Sequence, residues 1–403
     1  MKNLGYYRFP AIHKDHLVFV CEDDLWSYHL DEKKLSRLTT NYGAVATPKI
    51  SPDGKHIAFV GSEDGDSEVY VMPALGGPAK RLTYLGSMLK VTGWKNNSEI
   101  LFSSNYGMPF PRMCDIYSVN IKGEFPKCFS FGMGNDVSFG AKSVVLGKNT
   151  ADPARWKRYK GGTAGELWID IKGTSDFKKL INLKGNLACP MSIDGRVFFL
   201  SDHNGIGNIY SCTETGRGLK QHTHHKNYYA RNASTDGVSI VYHSGADIWK
   251  YDATSSASEK IDIDFRSPMI QKSRKYVSIQ SYLEDYALDK QNNMISFISR
   301  GKAFTMGNWD GPVFQLGESH GVRYRLPRFF KKDEKVLVFS DQGGEDRAEI
   351  HHFDGSKKIK ILDNLKIGRP YQVKISPKEN KALIQNHKHE LLLLDLDKEK
   401  LIK

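Results

Sequence analysis

Residues 45–83, VATPKISPDGKHIAFVGSEDGDSEVYVMPALGGPAKRLT, and residues 187–223, LACPMSIDGRVFFLSDHNGIGNIYSCTETGRGLKQHT, follow one plan. Each opens with a short extended segment and turns at an Asp-Gly pair, Asp53-Gly54 or Asp194-Gly195. An apolar run follows, then a polar glycine-rich turn, a Val-Tyr-Val or Ile-Tyr-Ser run, and a second glycine turn. Each closes on Arg-Leu-Thr or Gln-His-Thr. Asp-Gly is a hairpin signal because glycine takes positive φ at little cost. The apolar runs are too short for helices and rich in the β-branched and aromatic residues that suit strands. The plan therefore predicts four strands in each unit.

The same unit recurs along the chain. LVFVCEDDLWSYHLDEKKLSRLT (17–39) is a first copy, 100–129 a third, 144–180 a fourth and 240–261 a sixth. Six copies end near Phe265. A second series follows at 295–316, 336–362 and 382–403, with 266–282 as the joint between them. No stretch reads as a long amphipathic helix. Four-stranded units repeated without helices predict an all-β chain of β-propeller type. Residues 1–265 are expected to form a six-bladed propeller, and 266–403 to supply about three blades of a second. Three blades cannot close a ring, so the second propeller is expected to be truncated or to need another chain to complete it. Trp26, Tyr70, Tyr210 and Trp249 fall on third strands and are expected to pack between blades.

Composition narrows the function classes. Hydrophobic residues make up 39% of the chain, enough for packed cores. The N-terminal MKNLGYYRFP lacks the apolar run of a signal peptide. No apolar stretch is long enough to span a membrane. Cys21, Cys114, Cys128, Cys189 and Cys212 are odd in number and scattered, the usage of free thiols in a reducing cytoplasm. The net charge of +12 has no nucleic-acid-binding motif beside it, so no nucleic-acid partner is expected.

Several segments, in order, resemble the N-terminal part of the tricorn protease family. They are EDDLW (22–26), SPDGKHIAFVG (51–61), EVYVMPALGGPAKRLTYLG (68–86), NTADPARWKRYKGGTAGELW (149–168), SDHNGIGNIYS (201–211) and DYALD with ISFISRGKAF (285–304). The segment around Trp156-Lys157 to Gly161-Gly162-Thr163 is the most specific of them. The resemblance implies cytoplasmic serine peptidases that trim oligopeptides and assemble as homohexamers. Their six-bladed and seven-bladed propellers act as peptide channels and filters. A catalytic region with a PDZ-like domain follows in the family, so no catalytic residue is carried over to this chain. The family's anchor for a peptide carboxyl terminus is an Arg-Arg pair before the third blade. Here that loop reads TYLGSMLKVTGW (83–94), with Lys90 as its only cation. A stand-alone TolB-like binding scaffold and the propeller of a prolyl-oligopeptidase-like enzyme are the alternatives. The second would require an α/β-hydrolase region.

Other chemistry is weakly signalled. Gly317-Glu318-Ser319-His320-Gly321 matches the G-x-S-x-G pattern, but a nucleophile elbow needs a helix after the serine, and VRYRLPRFF follows instead. His222, His224 and His225 cluster at an expected strand end, and His351-His352 lies in a similar segment. Both are read as ordinary histidines, with no metal or cofactor expected. SDHNGIGN (201–208) lacks the carboxylate spacing of a calcium loop and reads as a turn. The remaining candidate site is an enlarged loop of the fourth blade, where Arg155, Lys157, Arg158 and Lys160 surround Trp156 and Tyr159. Cations and aromatic faces suit a peptide end or an acidic partner surface. The plainer alternative is that the two aromatic rings pin the loop while its charges stay in water.

Overall fold

Each sequence repeat folds into one antiparallel sheet of four consecutive strands, and the described residues form nine such sheets. The computed structural model describes residues 5–40, 42–63, 65–269, 277–330 and 334–402. The chain divides into units of residues 1–273 and 274–403. The division falls in the predicted joint, of which residues 270–276 lie outside the described residues. The only regular helix among the described residues is the single 3-10 turn Ile279–Ser281.

Blades 1 to 6 span 8–37, 46–81, 89–128, 136–179, 187–221 and 231–260. Their inner strands pack in cyclic order, and Arg231–Thr235 of blade 6 returns against Arg8–His13 of blade 1. The ring closes without a shared sheet, since every blade is built from its own four strands. Apolar contact does the work instead. Trp26, Phe19 and Tyr28 of blade 1 share a cluster with Val241 and Ile248 of blade 6 and with Phe265 just beyond it. The Phe265 ring lies 4.7 Å from Trp26 and 5.6 Å from Tyr7. Tyr7 N donates to Ala246 O at 3.1 Å, stitching the seam. Tyr70, Tyr210 and Trp249 occupy the corresponding seams of blades 1–2, 4–5 and 5–6.

The threonine that closes blades 1, 2 and 5 has a specific task. In blade 1, Leu25 N donates to Thr39 Oγ1 (2.9 Å), which donates to Asp24 Oδ1 (3.0 Å). In blade 2, Val69 N donates to Thr83 Oγ1 (2.9 Å), and Thr83 donates to Glu68. In blade 5, Ile209 N donates to Thr223 Oγ1, which donates to Asn208 Oδ1, both at 2.9 Å. The fourth strands are only two to four residues long in these blades. The hydroxyl supplies the backbone N–H with the acceptor that a longer ladder would have provided.

The inner strands carry a second repeated feature. Their pairing slips by one residue between Arg8 and Ala11, Ala46 and Lys49, Ala188 and Met191, and Arg231 and Ser234. At each slip one non-glycine residue has positive φ: Phe9, Thr47, Cys189 and Asn232. Proline follows in three of the four, as Pro10, Pro48 and Pro190. Proline has no N–H to give the ladder, so a bulge is where a strand tolerates it. A left-handed residue costs roughly 1–2 kcal/mol.

Blades 7, 8 and 9 span 283–316, 324–362 and 370–402. Their inner strands stack in sequence, and one core runs from Phe330 and Leu337 to Ala382 and Leu394. Leu326 repeats the positive-φ bulge before Pro327.

Candidate functional site

The inner strands of blades 1 to 6 enclose an axial cavity of about 370 Å³. All six contribute to its wall, from Phe9 and Thr47 through Val91 and Asp136 to Cys189 and Asn232. Hydroxyls tie neighbouring strands together. Thr47 Oγ1 accepts from Val91 N (3.2 Å), and Ser138 Oγ accepts from Ser192 N (2.9 Å). Thr92 Oγ1 and Ser192 Oγ, also on the wall, have no partner.

Charge gathers at one level of this cavity. Lys90 Nζ is hydrogen-bonded to the Asp136 carboxylate of the next blade. Burial lowers the Lys90 pKa, the charge of Asp136 raises it, and the net direction is up. Asp136 also accepts from Thr150 Oγ1 at 2.6 Å. The one cation of the 83–94 loop is therefore already paired. Lys49 has no carboxylate within ion-pair distance among the described residues; burial pulls its ammonium down to about 8, with Cys189 and Asp136 opposing and Lys90 assisting. Burial and then Asp136 push the Cys189 thiol up to about 11, so it is a protonated wall residue rather than a nucleophile. Lys49 and Cys189 were missed in the sequence. The recurring X-Pro pair of the inner strands was the signal that could have found them.

The enlarged loop of blade 4, residues 149–165, connects strand Val144–Lys148 to strand Glu166–Asp170. Arg155, Lys157, Arg158 and Lys160 are all exposed. The loop is not held by burial of its aromatics. Trp156 remains 48% exposed, with its ring 5.1 Å from Tyr159 and the Arg112 guanidinium 5.9 Å from its face. Its anchors are polar: Asp152 accepts from Arg231, Asp202 Oδ2 from Arg158 N (2.8 Å), and Trp156 O from Asn186 Nδ2 (2.9 Å). Thr150, Pro153 and Gly165 are the buried residues of this stretch. The structure does not bring Lys90 into contact with the loop cations, since its Nζ is bound to Asp136.

The weaker motifs have structural explanations. Ser319 is exposed in the connection between strands Phe314–Leu316 and Tyr324–Phe330, with no helix after it. His222 bonds Ser211 Oγ and Tyr251 Oη, both at 2.7 Å, and His225 bonds Tyr242 Oη at 2.9 Å. They join blades 5 and 6, while His224 is exposed. His351 pairs with Glu349 at 3.0 Å, and His352 with Asp354. Among the described residues no three His, Cys, Asp or Glu side chains are grouped to hold a metal ion. No helix among them is long and apolar enough to cross a membrane.

Comparison with known proteins agrees with this architecture. The family described as the tricorn protease N-terminal beta propeller domain matches residues 4–257. A tricorn protease homolog of Saccharolobus solfataricus is 37% identical over 400 residues, covering 98% of this chain and 36% of that protein. In Sulfurisphaera tokodaii, separate chains named tricorn-like protease N-terminal and C-terminal subunits match 41% and 55% of this chain, at 34% and 40% identity. These matches cover 86% and 25% of the two subunits. The crystal structure of the tricorn protease superposes with a TM-score of 0.83 at 27% identity, covering 99% of this chain and 39% of that one. This chain thus spans little more than a third of the length of its full-length relatives. It belongs to the tricorn protease family and is the propeller part of such a protein.

Proposed function

We propose that this chain handles oligopeptides for a tricorn-type serine peptidase whose catalytic region lies in further sequence or in a separate subunit. The observation that carries the reading is the axial cavity, walled by all six inner strands of a ring that belongs to this family. Its wall offers backbone edges, idle hydroxyls and one unpaired ammonium, Lys49, the donors and acceptors that an extended peptide can satisfy. The exposed cations Arg155, Lys157, Arg158 and Lys160 sit in the blade 4 loop, where carboxylates can be received. The separately named subunits of Sulfurisphaera tokodaii support a catalytic partner. Exposed Tyr286, Leu288 and Leu391 on blades 7 and 9 are apolar surface that further blades can cover. Homohexameric assembly rests on the family resemblance. A cytoplasmic setting rests on that resemblance together with five free cysteines.

Fluorescence anisotropy with labelled peptides of several residues tests the reading. The full chain binds such peptides and cleaves no fluorogenic peptide. Thr92→Trp, which fills the cavity, abolishes binding. Binding that is indifferent to Thr92→Trp removes the channel from the account. Turnover abolished by Ser319→Ala would place the chemistry in this chain after all.

A further inference from the structure

A second cavity, of about 630 Å³, opens beside the blade 4 loop. We propose that this cavity, with Tyr6, Lys157, Arg158, Arg231 and His243 in its wall, is a binding site for a small oxyanion. It is distinct from the axial cavity, which these residues do not line.

Charge is the first argument. Lys157 and Arg158 have no carboxylate within ion-pair distance among the described residues. Lys157 Nζ has only the Tyr229 ring, 5.6 Å away. The nearby Asp202 is occupied, accepting from Arg158 N, Asn186 N and Asn186 Nδ2. Arg231 is neutralised by Asp152 through Nε and Nη2, and its Nη1 donates one hydrogen bond, to Tyr6 Oη at 3.3 Å, leaving its second N–H to give. The wall therefore holds two cations without a carboxylate partner, of which Arg158 is hydrogen-bonded to Tyr229, together with a guanidinium edge and a phenol, all able to donate.

His243 is the second and independent argument. Its side chain is 1% exposed, and neither ring nitrogen has a partner. Leaving a buried donor idle costs about 1–3 kcal/mol, so such a group in a native fold calls for an explanation. Burial, and then the charge of Arg231, hold its pKa down at about 4, so the ring is neutral and has one N–H to give. An oxyanion oxygen entering between His243 and the cations would accept that N–H and meet the unpaired charge.

Carboxylate and phosphate share this chemistry. The carboxylate of a peptide is the source that follows from the function proposed above, and the inference rests on that reading for its natural ligand. Calorimetry on the full chain in phosphate-free buffer separates the sources, with a short alanine peptide bearing a free carboxyl end, the same peptide amidated, and inorganic phosphate. The free acid is expected to bind about tenfold or more tighter than the amide, the scale of a charge-assisted hydrogen bond. Lys157→Met and His243→Phe should each weaken the acid by about tenfold, while Arg217→Met, in a distant hairpin, leaves it unchanged. Lys157 is exposed, so its variant keeps the test open if His243→Phe folds poorly. Equal binding of acid and amide, indifferent to both changes, overturns the oxyanion site and leaves the peptide reading standing. Phosphate binding that both changes weaken, without peptide binding, keeps the site and overturns the peptide as its ligand. Absence of binding by all three probes overturns the site.

Discussion

Arg231 and Asp152 stand 79 residues apart in the chain, yet Arg231 Nε donates to Asp152 Oδ2 across 2.7 Å. The bond joins the inner strand of blade 6 to the enlarged loop of blade 4, and so spans the blade between them. It ties down the loop whose Lys157 and Arg158 line the second cavity.

Removing this tie should free the loop without unfolding the ring. The pair is partly exposed, with side chains 31% and 23% accessible, so its loss is worth about 1 kcal/mol. Asp152→Ala should speed tryptic cleavage after Arg155, Lys157, Arg158 and Lys160 by about fivefold while the melting temperature barely moves. An unchanged cleavage rate would mean that Asp202 and Asn186 hold the loop by themselves.

The closing threonines, buried beside very short fourth strands, should matter more than their place at the outer end of each blade suggests. Thr83→Val keeps the shape but strips Val69 N of its acceptor and buried Glu68 of a donor. A destabilisation of about 1–3 kcal/mol is expected in urea unfolding. A cost below about 0.5 kcal/mol, the range of ordinary surface changes, would show that the hydroxyl is dispensable.

The seam between blades 6 and 1 carries a few hydrogen bonds, but apolar packing supplies most of its strength. Phe265→Ala removes a ring that is 1% exposed and set against Trp26 and Tyr7. The expected loss is about 3–5 kcal/mol. Tryptophan fluorescence during denaturant unfolding reads it directly, and a loss under about 1 kcal/mol would place ring closure elsewhere.

Lys49 should make stability depend on alkaline pH. Its pKa is about 8 in the fold against about 10.5 in the unfolded chain. Below pH 8 both states carry the proton and the fold bears the full cost of burying the charge. Between pH 8 and 10.5 the unfolded chain holds more protons, so stability rises with pH. Lys49→Met should therefore be more stable than the natural chain at pH 7, by a margin that narrows towards pH 10. A margin that stays constant would mean that the ammonium is fully hydrated in the cavity.

His243 has the opposite window. Its pKa falls from 6.5 to about 4 on folding, so both states are neutral above pH 6.5 and the fold loses stability as pH drops from 6.5 to 4. His243→Phe should lose less between pH 7.5 and 4.5, measured as the shift in urea midpoint. Equal shifts would show that the imidazole takes up its proton in place. A stabilised His243→Phe that also binds the acid peptide poorly would mark a residue kept for function at the expense of stability.

Much of the fold is legible in local pattern. Asp-Gly turns, short β-branched and aromatic runs, and the returning Arg-Leu-Thr or Gln-His-Thr place four strands per unit and nine units along the chain. Trp26, Tyr70, Tyr210 and Trp249 follow from the same register, because alternation along a third strand leaves them facing a neighbouring blade. The positive φ of Phe9, Thr47, Cys189 and Asn232 escaped notice, since none is glycine and only the proline after three of them hints at a bulge. The expectation that Trp156 and Tyr159 pin their loop also needed the structure, which assigns that task to Asp152 and to main-chain groups.

Sequence alone determined the strand count, the blade repeat and the family, because each depends on residues a few positions apart whose turns and periodicity are local. Tertiary structure alone decided that Lys90 is neutralised by Asp136, that Lys49 is not, and that Arg231 and His243 meet the blade 4 loop. Those outcomes depend on distances between groups that lie 40 to 90 residues apart along the chain. Coulomb energy, desolvation and hydrogen bonding act through space, and closing the ring is what brings these groups within range.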